Sequence, residues 1–281
     1  MKKVLLGLGV LAAGGMLSGC DQMQLNQNKV QDQTQVTAQN GTQVVPGQGR
    51  GRNFVQSDYV VDSSDNVQPH TLLETAKKGD LSAEEKAGLI QMREEEKLAH
   101  DVYVTMYQKW GLNVFNNISS SEQTHTDTIK YLLDKYGIED PVKDTTVGKF
   151  TDPQMKELYD SLVEQGSKSM IDALKVGATV EDLDIKDLEE LLSKTDNEDI
   201  QIAYQNLNKG SRNHIRAFVR NLERNGETYT PQFISQERFN EIIAGDQEKG
   251  VADAQGKAIG NGGQGQGQGV RQGHGRGRKI K

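Results

Sequence analysis

The chain has 281 residues, of which 34% are hydrophobic, and it carries a formal net charge of -7. Its single cysteine, Cys20, excludes an intramolecular disulfide, so packing must hold the fold together. The low apolar fraction is enough for one hydrophobic core and predicts long unfolded stretches beside that core.

The N-terminus has the pattern of a targeting segment. Two lysines precede an apolar run over residues 4–17, which ends in the sequence LSGC, whose cysteine is Cys20. This resembles a bacterial lipoprotein signal over residues 1–19. The resemblance implies cleavage before Cys20, acylation of that cysteine, and an extracytoplasmic protein anchored in the membrane, periplasmic or on the outer surface. The alternative is an uncleaved membrane helix, but the run is shorter than the roughly 20 residues that span a bilayer.

Both flanks of the chain have compositions typical of disorder. Residues 20–70 are rich in Gln, Asn, Thr, Val and Gly, which predicts a disordered tether. Residues 246–281 are rich in Gly and Gln and end in several Arg and Lys residues, which predicts a disordered basic tail. Such a tail can contact anionic surfaces such as lipid headgroups, without specificity for nucleic acid. The alternative, a solubilising end with no partner, stays open.

Residues 71–245 between these flanks predict one all-α domain, a four-helix bundle. The first long helix begins at a capping box, Ser82 to Glu85, and runs to about Trp110. The second runs from about Val114, with Asn113 as an earlier cap, to Tyr136. Apolar residues at alternating steps of three and four predict helices packed nearly parallel to their neighbours.

A long crossover separates the second and third long helices. Residues 138–168 include a predicted extra helix over 153–164 and are too long for a tight hairpin, so the second and third helices should run parallel. The third covers about 169–193. A second capping box, Thr195 to Glu198, predicts the start of the fourth, which runs to about Arg224.

On each long helix the apolar residues spaced three and four apart form a line, called its seam, and each seam carries polar residues near its middle. They are Glu96 and Tyr103 on the first helix, Glu122 and His125 on the second, Glu181 on the third, and Ser211 and His214 on the fourth. Buried acids need partners, and carboxylate and imidazole are ligands of iron, manganese and zinc. The i, i+3 pair Glu122 and His125 lies on one helix face and can reach one metal or bridge a pair of metals.

Several of these residues also have a structural interpretation. Glu96 can lie on a solvated helix face, because it belongs to a run of acids. Glu122 can belong to a capping box with Ser119, Glu181 to an exposed acidic turn, and His214 to a hydrogen-bonded core. Asp184, one turn after Glu181, can flank a metal site.

The neighbours of these residues carry their own predictions. Glu94, Asp182 and His100 are predicted to face solvent, and Glu95 lies one position off the seam. Gly177 and Gly210 inside helices indicate close backbone approach or a local kink.

Five segments of the chain resemble the ferritin-like superfamily, in particular a prokaryotic family catalogued as domain of unknown function 2202. They are 92–103, 121–125, 176–181, 195–198 and 210–214. The resemblance implies a ferritin-like bundle with a long crossover between helices 2 and 3. By matching position it implies the metal ligands Glu96, Glu122, His125, Glu181 and His214. Ser211 stands where the family pattern places a fourth-helix glutamate.

These observations predict a membrane-anchored metalloprotein that binds iron or manganese, as a pair or singly, with oxidase- or peroxidase-type activity. Tyr103 is then the candidate catalytic residue, as a hydrogen-bond partner or electron donor. The alternative is a non-enzymatic cell-envelope lipoprotein that uses the bundle as a structural or interaction module. Long tails and a lipid anchor do not suit a closed shell, so we expect a monomer or dimer.

Overall fold

The computed structural model describes residues 70–259 and, before them, two short strands, β1 (Val44–Val45) and β2 (Phe54–Val55), which pair antiparallel. The two strands fall inside the predicted tether. The predicted signal segment, Cys20, the rest of the tether and the tail after residue 259 lie outside the described residues.

The described part of the chain is built mainly of helices, which confirms the all-α prediction. Their bounds are α1 (His70–Thr75), α2 (Ala83–Trp110), α3 (Asn113–Tyr136), α4 (Pro153–Gly166), α5 (Met170–Leu192), α6 (Glu198–Arg224) and α7 (Gln236–Ala244). A hairpin of β3 (Val251–Ala252) and β4 (Ala258–Ile259) follows. The predicted long helices are α2, α3, α5 and α6, and α4 is the helix predicted inside the crossover. Within the described residues no helix is both long and apolar enough to cross a membrane.

The capping box predicted at Ser82 is present, the one predicted at Thr195 is wrong, and the alternative capping box of Ser119 and Glu122 does not form. The hydroxyl of Ser82 accepts from the backbone N–H of Glu85, whose carboxylate accepts from the Ser82 N–H. Ser119 lies inside α3, and its hydroxyl donates to the Asn116 carbonyl, so it caps nothing. Thr195 does not cap α6 either, because its hydroxyl donates to the carboxylate of Glu85.

The starts of α3 and α6 also differ from the sequence prediction in their cap residues. Leu112 occupies the N-cap position of α3 without a side-chain hydrogen bond, so Asn113 is not the cap. Asn197 occupies the N-cap position of α6, but its amide donates to the Asp80 carbonyl and to Glu85. The polar side chains before α6 therefore connect it to α2.

Contacts between helix ends establish the helix directions. Phe115 near the start of α3 packs on Phe218 near the end of α6, with ring centroids 5.5 Å apart. Tyr136 at the end of α3 donates to Asp199 at the start of α6. These two helices therefore run antiparallel. The short connection 193–197 makes α5 antiparallel to α6 as well, so α3 and α5 run parallel, as predicted.

A polar layer divides the core of the bundle into two apolar clusters. One cluster contains residues from the second half of α2, the start of α3 and the end of α6, including Tyr103, Phe115 and Phe218. The other contains residues from the start of α2, the end of α3 and the start of α6, including Leu89 and Leu132. The predicted polar seam residues lie between these clusters, where both neighbouring layers exclude water.

The folded part extends beyond the predicted domain end at residue 245. Glu248 accepts from Arg212 and Arg216, both on α6. The Asn206 side chain donates to the Ala252 carbonyl at 2.8 Å and accepts from the Ala252 N–H at 2.9 Å. The prediction of disorder from residue 246 is therefore wrong up to Ile259, because buried polar groups on α6 bind this segment.

Candidate metal centre

Five buried side chains from the four long helices converge in the polar layer. Glu96 comes from α2, Glu122 and His125 from α3, Glu181 from α5, and His214 from α6, and each is at most 5% exposed. Glu96, Glu122 and His125 each offer a ligand atom within 4.8 Å of the others, and so do Glu122, Glu181 and His214. The two groups share Glu122, so one carboxylate lies between two potential cation positions.

Each imidazole uses the same nitrogen to face the shared carboxylate. His125 Nδ1 lies 2.8 Å from Glu122 Oε2 and 3.2 Å from Glu96 Oε2. His214 Nδ1 lies 2.8 Å from Glu122 Oε1 and 3.4 Å from Glu181 Oε2. The two rings stack with centroids 5.6 Å apart. The centre is therefore nearly symmetric about Glu122, with one imidazole and one further carboxylate on each side.

Several buried atoms of the centre have no hydrogen-bond partner among the described residues. They are Glu96 Oε1, Glu122 Oε1, Glu181 Oε2 and His214 Nδ1. Glu122 Oε1 and His214 Nδ1 lie close together but not in hydrogen-bonding geometry. Buried polar atoms are costly without a partner, and a cation satisfies oxygen and imidazole nitrogen atoms at once. The donor set therefore fits a metal ion.

Tyr103 and Ser121 hold two of the ligands in place. The Tyr103 hydroxyl donates to Glu181 Oε1 at 2.5 Å. The Ser121 hydroxyl lies 3.1 Å from His214 Nε2, which leaves Nδ1 to face the centre. Sequence reasoning did not single out Ser121, although its position beside Glu122 on the same helix is the signal that points to it.

Two helical glycines make room for ring side chains. A Cβ on Gly210 would lie 2.5 Å from the His125 imidazole, and one on Gly177 would lie 2.5 Å from the Phe218 ring. A neighbouring ring therefore lies against the backbone at both glycines, which agrees with close approach, the first of the two predicted alternatives. Ser211 is buried, donates to the Leu207 carbonyl at 3.2 Å and belongs to neither ligand group.

Burial and mutual charge shift the pKa of every ligand. Burial raises the pKa of Glu96 to about 8 and that of Glu181 to about 7, the latter helped by the nearby Glu122 charge. Burial also acts to raise the pKa of Glu122, but the two imidazoles outweigh it and hold that pKa well below 4.5. Burial acts to lower the pKa of His125, but Glu122 and Glu96 raise it to about 10. Without a metal, protons and imidazolium charge balance the carboxylates.

Two predictions of solvent exposure, those for Asp182 and Glu94, are wrong, and the prediction for His100 holds only in part. Asp182 is fully buried, and its carboxylate accepts from the Tyr229 hydroxyl and from the backbone N–H groups of residues 232–234. Glu94 is also buried. His100 is partly buried, with Nδ1 2.9 Å from Asp101 Oδ1. Segments packed outside the four long helices cover α2 and α5, and seam analysis of single helices does not detect them.

Asp184 and Glu95 are buried beside the centre but belong to neither ligand group. Asp184 was predicted as a flanking ligand, and the structure places its carboxylate in the wall of a small cavity together with Glu95.

Comparisons with known proteins agree with this fold. The family model described as "Uncharacterized protein domain (DUF2202)" matches residues 85–246. The uncharacterized protein MJ0754 of Methanocaldococcus jannaschii is 62% identical over 171 residues, which is 61% of this chain and 92% of the relative. The crystal structure of hypothetical protein MJ0754 from Methanococcus jannaschii DSM 2661 matches with a TM-score of 0.60 and 62% identity, over 61% of this chain and 98% of that chain. The family model spans more than half of the chain, and this chain therefore belongs to the DUF2202 family.

Proposed function

We propose that this protein is a metalloprotein that binds a pair of iron or manganese ions in the polar layer of its bundle and uses them in oxidase- or peroxidase-type chemistry. The observation that carries the proposal is that two three-residue ligand groups share the Glu122 carboxylate. A carboxylate with one oxygen toward each of two imidazoles has the geometry of a bridging ligand.

The ligands divide between the two cation positions. Glu96 and His125 serve one position, Glu181 and His214 serve the other, and Glu122 serves both. A carboxylate-rich set with one imidazole per ion suits iron or manganese. Three carboxylates supply one negative charge fewer than two divalent ions carry, and the nearby buried Asp184 offers the fourth.

Residues around the ligands control protons and water. Ions of this kind supply one-electron redox chemistry with dioxygen or peroxide when they are bound. The Tyr103 hydroxyl keeps its proton because burial raises its pKa well above 10, and it donates to Glu181 Oε1. Tyr103 packs against Phe218, with ring centroids 5.3 Å apart, and these rings keep water from that side of the centre.

Membrane attachment is part of the same proposal. Its support is the N-terminal sequence, in which an apolar run leads to Cys20, together with a basic C-terminal tail that can contact anionic surfaces. Acylation of Cys20 would then hold the bundle on the outer side of the cytoplasmic membrane or on the outer surface.

Metal analysis of the purified protein tests the binding claim. After reconstitution with ferrous or manganous ion, wild type should retain metal in a fixed ratio to protein, and the double variant Glu122→Ala, His125→Ala should lose it. The matched control is Glu94→Ala, His100→Ala, which changes the same residue types on α2 outside both ligand groups. Wild-type protein that retains no metal would overturn the proposal.

The catalytic claim has a separate test. Addition of ferrous ion should cause consumption of dioxygen or peroxide, and Tyr103→Phe should lower the turnover per bound metal ion. Metal-loaded protein without turnover would contradict the catalytic claim and leave a binding role.

A second candidate function is a non-enzymatic envelope protein that uses the bundle as a structural module. The observation that favours it is the 2.8 Å contact between His125 Nδ1 and Glu122 Oε2, by which the buried charges neutralise one another. This candidate requires that reconstituted wild type retain no metal, so the metal analysis decides between the two.

A further inference from the structure

Carboxylates on α5 form a stripe that leads from the metal centre to the protein surface. Glu181, Asp184, Asp187 and Glu190 recur at every third residue, so successive side chains are neighbours on the helix. Each step advances about 4.5 Å and turns about 60° around the helix axis. The first three side chains are 0–3% exposed, and that of Glu190 is 50% exposed. The stripe therefore winds from the interior of the bundle to solvent.

The middle of the stripe contains buried oxygens that no hydrogen bond satisfies. Within the part of the chain that the structure describes, Asp184 Oδ2 and Asp187 Oδ2 have no hydrogen-bond partner, and neither has Oε2 of Glu95, which joins them from α2. The other Glu95 oxygen accepts from Gln91 at 2.9 Å, which orients the carboxylate. Buried carboxylate oxygens are costly when unpartnered, and they are the preferred ligands of hard divalent cations.

These three carboxylates lie near one another and near the centre. Asp187 is the charge that acts most strongly on Glu95, and the charges of Glu96, Glu181 and Glu95 act on Asp184. A cavity of about 20 Å³ has Glu95 and Asp184 in its wall. A space of this size holds about one water molecule.

A lysine closes the outer end of the stripe. Lys186 Nζ lies 2.8 Å from Asp187 Oδ1 and 3.1 Å from Glu190 Oε1, and its side chain is 29% exposed. An ammonium on a flexible four-carbon stem can move into solvent. Its departure frees two carboxylates for an incoming cation, so Lys186 occupies the position where such a cation would first bind.

We infer that Glu95, Asp184 and Asp187 form an acidic path that takes a divalent cation from the surface at Lys186 and Glu190 and passes it to the centre at Glu122. This inference rests on the proposed metal centre. The path sets how fast the centre fills, and the ligands around Glu122 set how much metal it holds.

The rate of metal loading tests the path. Metal-free full-length protein is mixed with cobalt(II), and the ligand-field absorption of the bound ion is followed by stopped flow. Asp187→Asn should load about tenfold more slowly than wild type, because it removes an attracting charge, and should reach the same final absorption. Lys186→Gln should load faster, because it removes the competing ammonium. The control Asp160→Asn, an exposed position on α4, should load at the wild-type rate.

The possible results separate this inference from the proposed function. Wild-type protein that binds no cobalt overturns both. Normal loading of wild type with an unchanged rate in Asp187→Asn overturns the path and leaves the centre intact. A lower final absorption in Asp187→Asn also overturns the path, because Asp187 would then support the final site. If Asp187→Asn does not fold, Lys186→Gln decides: faster loading supports the path, and an unchanged rate overturns it.

Discussion

At the scale of single residues, one hydrogen bond decides which nitrogen of His214 faces the centre. The Ser121 hydroxyl lies 3.1 Å from Nε2, and Nδ1 is directed at Glu122 and Glu181. Partners of this kind fix the tautomer and orientation of a metal-binding imidazole. Ser121 therefore orients a candidate metal ligand without belonging to either ligand group.

The variant Ser121→Ala should lower metal affinity by about 10- to 100-fold, because the imidazole of His214 loses its orienting partner. Titration with manganous ion in competition with a chelator measures the change. The control is Ser120→Ala, whose exposed hydroxyl donates only to the Asn116 carbonyl. Equal affinities for the two variants would show that Ser121 does not orient the ligand.

At the scale of helices and segments, one buried carboxylate fixes the chain that follows α6. Asp182 on α5 accepts from the Tyr229 hydroxyl at 2.8 Å and from backbone N–H groups of residues 232–234. No side chain other than a carboxylate offers two acceptor oxygens in this position. The segment therefore depends on Asp182 for its backbone hydrogen bonds.

Replacement of Asp182 by Asn should lower the free energy of unfolding by about 2–3 kcal/mol, because an amide NH₂ would face backbone N–H groups and leave them unsatisfied. Urea denaturation measures this change. Asp134→Asn removes the same charge from an exposed position on α3 and should have little effect. If the urea midpoint of Asp182→Asn equals that of wild type, Asp182 does not stabilise the segment after α6.

Helix positions could be predicted from sequence because local rules determine them. Ser82, Gly111 and Gly137 mark helix ends, and the three-and-four spacing of apolar residues fixes each core face. The same spacing located all five candidate ligands, since each lies on a seam. The predictions failed where partners are distant in sequence: Glu85 binds Thr195, and the segment after α7 binds Asn206.

The spacing allowed Glu122 either to bind one metal or to bridge a pair, but it could not decide between the two. The i, i+3 relation to His125 places both on one face but does not say which further residues meet them. The second group needs α5 and α6 to bring Glu181 and His214 to the other side of the same carboxylate. Only the tertiary arrangement of four helices shows this.

At the scale of the whole molecule, the polar layer makes stability depend on pH and metal. Folding raises the pKa of His125 from 6.5 to about 10, so its stabilisation is complete below pH 6.5 and is lost as pH rises toward 10. Folding raises the pKa of Glu96 from 4.5 to about 8. Between these two pH values the folded protein holds a proton that the unfolded chain has lost, so the free energy of unfolding falls as pH rises. Both shifts have the same sign.

The free energy of unfolding of the metal-free protein should therefore fall as pH rises from 6.5 to 9. Bound metal replaces these protons, so metal binding should release protons and strengthen over the same pH range. Thermal unfolding at both pH values, with and without manganous ion, checks the sign of each effect. Metal-free stability that rises over this range would contradict the arrangement of charges.

The most direct test of the account is anomalous X-ray diffraction at the manganese edge from crystals of reconstituted protein. We expect two peaks on opposite sides of the Glu122 carboxylate, one beside Glu96 and His125 and the other beside Glu181 and His214. Diffraction without an anomalous peak among these five side chains would contradict the shared-carboxylate centre.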